Sequence, residues 1–150
     1  NQNFRREYGR RLIDKIVERT KSGINKNGRG FKSYSPNYVN SLIFEIYKGK
    51  DTSVNLTLTG EMLSSMQVAS APPRKVVINF ASSEQEAKAH GHIFGGGYKR
   101  NLPVRDFFGI PKGEQYEILR ETLRDYSAPD TIFDIPNVNE QVSAVILDEE

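Results

Sequence analysis

The chain has 150 residues, of which 37% are hydrophobic and 27% charged, a balance typical of one globular domain. It contains no Cys and two His, which excludes disulfides, cysteine-based metal sites and thiol nucleophiles. Mean hydropathy is −0.58, and no apolar run approaches the ~20 residues of a membrane-spanning helix, so we expect no membrane partner. The first residues also lack the apolar stretch of a secretory signal, which favours the cytosol or a particle assembled there.

Charge is distributed unevenly along the chain. Residues 1–50 carry twelve Lys/Arg against four Asp/Glu, whereas residues 51–150 carry nine against fifteen. The stretch from Asp125 to Glu150 has seven acids and no base. A solvated helix face explains such a pattern, as does a basic surface that faces nucleic acid or an acidic protein neighbour. Opposite charges at the two ends also suit head-to-tail association between copies of the chain.

The first predicted element is an amphipathic helix over residues 4–20. Tyr8, Leu12 and Ile16 recur at helical spacing, while the arginines lie off this stripe and form a basic outer face. Residues 21–34 contain Gly, Lys and Arg with few apolar side chains. We therefore predict that this segment is a flexible basic loop, poorly packed within the subunit.

A second helix is predicted from Ser35 to about Gly49. Ser35 is a typical N-cap, and Pro36 follows where its missing N–H costs nothing. Apolar residues at helical spacing, among them Leu42 and Ile46, then predict one continuous helix with a buried face.

The central part of the sequence alternates between strand and helix patterns. Residues 54–58 alternate apolar with polar side chains and predict a half-buried strand, and a short helix is expected over 60–66. Residues 75–80, KVVINF, predict a second strand. A capping box then begins at Ser83 and predicts a helix to about His90.

The last part begins with a predicted loop over 91–101 that is rich in Gly and basic residues. Residues 105–110 indicate a short strand or tight turn, after which a helix extends to about Tyr126. Alternation over 142–146 predicts a further strand near the C-terminus. The predicted core comprises Leu12, Ile16, Leu42, Ile46, Leu56, Leu58, Val77, Phe107 and Leu119.

These elements predict an α+β fold: a small, mainly antiparallel sheet with about three longer helices packed on it. Residues 1–126 form the predicted domain, and residues 127–150 form an extended, acidic C-terminal arm. We expect this arm to reach an adjacent subunit, where Val142, Ala144 and Ile146 dock by adding a strand to a sheet edge.

Patterns for catalysis or cofactor binding are weak. His90 and His92 are the only metal-like pair, and packing near a turn explains them better because no HExxH pattern is present. The glycines at 95–97 lack the phosphate-loop signature, and Ser64 and Ser65 lack a nucleophile elbow. We therefore predict no enzyme, no cofactor and no metal site, although carboxylate catalysis is left open.

Nucleic-acid binding is the alternative function that the residues themselves suggest. The basic N-terminal third contains Phe31, Tyr34 and Tyr38, and such aromatic rings can stack on bases. No helix-turn-helix, RRM or KH signature is present. A non-catalytic nucleic-acid-binding protein is therefore the second hypothesis.

Four motifs in order resemble the virion morphogenesis proteins of tailed phages, which include neck and tail-completion proteins of the phage Mu type. They are GRGFKSYSPNYV at 28–39, DTSVNLTLTGEMLSSMQV at 51–68, KVVINF followed by AHGHIFGG at 75–96, and NLPVRDFFGI at 101–110. The resemblance covers residues 4–126.

The resemblance implies a structural virion subunit at the head–tail junction. It implies a ring of six or twelve copies that joins the capsid portal complex to the tail, assembled in the host cytoplasm. Expected partners are copies of the chain, neighbouring head-completion or connector proteins, tail-tube or tail-terminator proteins, and packaged DNA in the lumen. Arg105 is expected to form a buried or interfacial ion pair. The candidate DNA-facing or subunit-interface residues are Arg5, Arg6, Arg10, Lys26, Arg29, Lys32, Lys99, Arg100 and Arg105.

Overall fold

The computed structural model describes residues 1–56, 60–95, 103–126 and 143–146. The elements are α1 (Gln2–Lys21), α2 (Pro36–Val39), α3 (Leu42–Lys48), α4 (Glu61–Ser64), β1 (Met66–Ser70), β2 (Lys75–Phe80), α5 (Ser83–Phe94), α6 (Lys112–Tyr126) and β3 (Ser143–Ile146). The sheet and the three longer helices α1, α5 and α6 confirm the predicted α+β class.

The sheet has the strand order β1-β2-β3. Strands β1 and β2 are antiparallel, with Met66 opposite Phe80, and a bulge between Val68 and Ser70 interrupts their register. Strand β3 runs parallel to β2. The central strand β2 therefore has a hydrogen-bonded neighbour on each side.

Helix α1 packs on β1 and β2, and α6 packs along α1. The side chain of Asn1 caps α1 by accepting a hydrogen bond of 2.9 Å from the N–H of Asn3. Tyr8, Leu12 and Ile16, four residues apart, are each at most 1% exposed. The helical spacing read from the sequence thus identified the buried face of α1 correctly.

Alternate residues of β2 enter the core. Val76, Ile78 and Phe80 are buried, whereas Val77 points to the other side and is only partly buried. The prediction that Val77 lies in the core was wrong, because a continuous apolar run does not show which face of a strand is covered. Other predicted core residues are confirmed as buried: Leu12, Ile16, Leu56, Phe107 and Leu119.

The predicted helix over 35–49 is divided in two. Ser35 caps α2 as expected, but α2 ends at Val39 and the side chain of Ser41 starts α3 by accepting a hydrogen bond from the N–H of Phe44. The division rotates the apolar residues relative to the core, so Leu42 is 70% and Ile46 66% exposed. Both residues had been predicted to be buried, and that prediction was wrong.

The strand predicted over 54–58 is not formed in its described part. Val54 and Asn55 are irregular, and Leu56 has φ of +53°, which a strand does not accommodate. Leu58 lies outside the described residues. The strand that pairs with β2 is instead β1, which the sequence analysis missed because it begins at the end of the predicted short helix.

The basic segment 21–34 makes specific contacts with the domain, although none of its residues is fully buried. Ile24 and Gly30 form a β-bridge, and the side chain of Asn25 accepts hydrogen bonds from two backbone N–H groups of the segment. The N–H of Lys26 donates to the carbonyl of Asp106 at 2.9 Å, and Phe31 packs against the core. Of the other predicted loop, residues 91–94 belong to α5 and residues 96–101 lie outside the described part.

The predicted C-terminal strand is present as β3. Ala144 lies opposite Val76 and Ile146 opposite Ile78, so the strand pairs with β2 of its own chain; docking on an adjacent subunit stays a prediction. Val142 lies outside the described residues. The strand-forming part of the arm therefore completes the sheet of the domain that precedes it.

Gly9 generates a test of the helix–sheet packing. A methyl group at Gly9 would lie 2.6 Å from Cγ2 of Val68 and 2.8 Å from Cγ1 of Val76. We expect Gly9→Ala to lower the free energy of unfolding by about 1–2 kcal/mol, because overpacking outweighs the gain in helix propensity.

Gly113→Ala on α6 is the matched control, since a methyl group there meets nothing within 4 Å. Urea unfolding of both variants should show this control unchanged or slightly stabilised. Equal stabilisation of both proteins would contradict the close packing of α1 on the sheet.

Candidate functional site

Arg105 connects three segments of the chain. It lies between α5 and α6, and its side chain is buried, with 4% of the residue exposed. Its Nε donates to the carbonyl of Lys32 at 2.8 Å and its Nη2 to the carbonyl of Ser33 at 2.9 Å. Its backbone N–H donates to the carbonyl of His92 at 2.7 Å, at the end of α5. One residue thereby joins segment 21–34, α5 and the segment before α6, which is irregular rather than a strand.

The Arg105 guanidinium also lies over an aromatic cluster formed by Tyr34, Tyr38 and Phe44. The guanidinium carbon is 5.0 Å from the centre of the Tyr34 ring, a distance suited to a cation–π contact. The three rings pack edge to face, with centroids 5.1 to 5.9 Å apart. Phe44 belongs to α3 and is fully buried, so this cluster fixes α3 to the domain.

Arg105 was expected to form a buried or interfacial ion pair; the described residues give it no buried one, and an interfacial pair stays a prediction. Among the described residues its side-chain hydrogen bonds go to two backbone carbonyls instead of a carboxylate. Burial lowers the pKa of Arg105, yet a guanidinium stays charged. The motif around Arg105 therefore has a structural function in this chain: it holds the segment that leads into α2 and α3.

The arrangement leaves one apolar surface uncovered. We call it the α3 face; it consists of Leu42, Ile43, Ile46 and Tyr47. These side chains are 54–70% exposed, while Phe44 on the opposite side of the same helix is fully buried. Exposed apolar side chains that are contiguous, rather than scattered, are typical of interaction surfaces.

A groove of about 520 Å³ lies elsewhere on the same chain. Its apolar lining residues are Ile93, Phe94, Phe108, Ile110 and Pro111. Polar lining comes from the ion pair between Lys26 and Asp106 (2.8 Å) and from Lys112 at the start of α6. Phe94 is 58% exposed, so part of the apolar lining is open to solvent.

Two of the predicted DNA-facing arginines bind the sheet of their own chain. Arg5 donates to the carbonyl of Ala71 at 2.8 Å, and Arg6 donates to the carbonyl of Val68 at 3.4 Å. Both carbonyls belong to the β1 region, where the register is irregular. These guanidinium groups satisfy strand carbonyls near the bulge, which corrects the view of this helix face as a purely solvated surface.

The other basic candidates are dispersed. Arg10 pairs with Glu7 at 3.4 Å, and Lys26 pairs with Asp106. Arg29 and Lys32 have exposed side chains on the basic segment. Lys99 and Arg100 lie outside the described residues. The structure brings Lys26, Lys32 and Arg105 to one region, and it places Arg5 and Arg6 at β1.

The two histidines occupy different surroundings on α5. His90 is exposed and packs against Phe94, with ring centroids 4.5 Å apart. His92 is largely buried beside Arg105, and burial together with that positive charge lowers the pKa of His92 to about 4. Within the described ranges, no three side chains of His, Asp or Glu are grouped so that they could hold a metal ion.

Comparisons with known proteins give no relative for this chain. No protein-family model matches it, and no curated protein or solved structure matches it either. In the part of the chain that the structure describes, no helix combines the length and apolarity needed to cross a membrane.

The α3 face is the surface that the sequence analysis missed. Two of its residues, Leu42 and Ile46, were predicted to lie in the core because their spacing suits a buried helical stripe. The signal that could have revealed it is Ser41, a second N-cap residue that follows the first, Ser35, by six residues and so divides the run into two short helices.

The role of Arg105 can be tested by substitution. Arg105→Met removes both hydrogen bonds to carbonyls and should lower the free energy of unfolding by about 3 kcal/mol. Arg105→Lys should lie between this variant and the wild type, because an ammonium group cannot reproduce the planar fork. Hydrogen exchange should also rise in residues 32–48. The exposed Arg29→Met is the control, and equal stability of the two Met variants would contradict the role of Arg105.

His92 predicts a pH dependence. Its pKa is lower in the folded chain (about 4) than in the unfolded chain (about 6.5), so between these values the unfolded chain binds the extra proton. Stability is therefore lost as the pH falls, by about 2 kcal/mol between pH 7 and pH 5. His92→Gln should reduce this loss in urea unfolding, and the exposed His90→Gln should not. An unchanged pH dependence in His92→Gln would refute the assignment.

Proposed function

We propose that the chain is a non-catalytic structural subunit of a protein assembly. The observation that carries the proposal is the α3 face: four large apolar side chains, 54–70% exposed, on a helix that Phe44 anchors to the aromatic cluster. A partner that covers this face removes apolar area from water at about 25 cal/mol per Å². The isolated chain gains nothing from exposing these side chains.

The kind of assembly we propose is the ring at the head–tail junction of a tailed phage. Segments 28–39, 89–96 and 101–110, which carry three parts of the resemblance, meet at Arg105. This contact supports the resemblance, because it gives three motifs that are separated in the sequence a common structural role. The proposed ring has six or twelve copies and joins the capsid portal complex to the tail in the virion, which assembles in the host cytoplasm.

Its partners in this proposal are other copies, connector or head-completion proteins on one side, and tail-tube or tail-terminator proteins on the other. DNA passing through the lumen would meet basic side chains by non-specific phosphate contacts. Arg29 and Lys32 are exposed and suit this role, whereas Arg5 and Arg6 are already bound to β1.

The experiment is to locate the chain in assembled particles by electron cryomicroscopy. We expect a closed ring of six or twelve copies where the tail joins the capsid. The double variant Ile43→Ser with Tyr47→Ser should fold with unchanged unfolding free energy but should not be incorporated, since it changes only exposed side chains.

Val104→Ser is the matched control, an equally exposed apolar residue outside the α3 face, and it should be incorporated normally. Location of the chain away from the junction would overturn the proposed role. Normal incorporation of the double variant would show that the α3 face is not the assembly surface.

A further inference from the structure

We propose that the α3 face of one copy docks into the groove of a second copy of this chain. The inference rests on the proposed function and specifies how the subunits join. It assigns one occupant to each of two exposed apolar surfaces that share no residue in the described part of the chain.

The α3 face has the shape of a helical ridge. At ~100° per residue, its four side chains fall within an arc of about 140°, and Glu45 borders the arc next to Leu42. Phe44 and Lys48 point the other way, toward Tyr34 and the aromatic cluster. The ridge is therefore presented outward by a helix whose inner side is already occupied.

The groove has the complementary form. Its volume of about 520 Å³ lies in the ~300–1,000 Å³ range of pockets that bury an apolar group of small-molecule size. Several side chains of a short helix can enter such a space. Recognition of an amphipathic helix by an apolar groove is a recurrent mode of association, with contacts at i, i+3 and i+4.

The charges at the borders of the α3 face and the groove indicate which partner the groove binds. The ridge is bordered by the exposed carboxylate of Glu45, and the groove is bordered by the exposed ammonium of Lys112. Lys112 begins the fifteen-residue helix α6, whose N-terminal end adds partial positive charge. The chain thus supplies both a ridge with an acidic border and a groove with a basic one, which favours a second copy as the partner.

The two surfaces share no residue, so the contact is heterologous. Each copy offers its α3 face to one neighbour and its groove to another, and repetition of this contact gives a closed ring or an open filament. This is the symmetry that a ring subunit requires.

The experiment uses one variant for each surface. Ile46→Glu disables the α3 face and Phe94→Glu disables the groove; both positions are exposed, so folding should be retained and is checked by urea unfolding. In sedimentation velocity, wild-type protein should associate, and each variant alone should associate at least about tenfold more weakly.

Mixing the two variants should restore one interface, because Ile46→Glu still offers its groove and Phe94→Glu still offers its α3 face. We expect a one-to-one dimer that grows no further. Val104→Glu is the control at an exposed apolar site outside both surfaces and should associate like the wild type.

A charge exchange adds an independent readout. Glu45→Lys and Lys112→Glu should each weaken association, and the double variant should recover it. Because the chain has no Cys, Ile46→Cys mixed with Phe94→Cys should also give a specific oxidised dimer.

Normal association of Phe94→Glu beside loss in Ile46→Glu would overturn the groove contact and leave the proposed assembly function standing. A wild-type chain that stays monomeric at all concentrations would overturn pairing between copies. Failure of the proposed function itself is read separately, from the position of the chain in assembled particles.

Discussion

The guanidinium of Arg105 is the constraint on which the outer part of this fold depends. Its bonds to the carbonyls of Lys32 and Ser33 and its contact with the Tyr34 ring hold a segment with little regular structure against the end of α5. Once a charged group is buried, the loss of its hydrogen bonds to main-chain carbonyls costs much free energy, because water cannot replace them. The orientation of α3 follows from this contact, since Phe44 packs on the same aromatic cluster.

The rest of the domain is built on a separate set of contacts. The core formed by α1, α6 and the β1–β2 pair is apolar, and its packing is close enough that α1 requires glycine at Gly9. Basic side chains on α1 are largely committed to this domain: Arg5 and Arg6 bind strand carbonyls, while Arg11 bonds Asp125 of α6 at 2.6 Å. Part of the positive charge of the first fifty residues is therefore already bonded within the domain.

The proposed function rests on surfaces that the packed core leaves free. The α3 face and the groove are apolar, share no residue, and carry opposite charges at their borders, a combination suited to repeated contact between identical chains. A ring subunit needs a rigid body with two different sides more than it needs a reactive centre. The anchoring of α3 through Phe44 makes its exposed side usable for such contact.

Periodicity in the sequence determined the helices α1 and α6, the strand β2 and the presence of β3, because each pattern is local and repeats every two or 3.6 residues. It identified Leu12 and Ile16 as core. It could not determine the exposure of Leu42 and Ile46, the face of β2 on which Val77 lies, or the pairing of β1 with β2. Those features were decided by contacts between distant segments, such as Arg105 with Lys32, since a local pattern records only that a face is apolar and not what covers it.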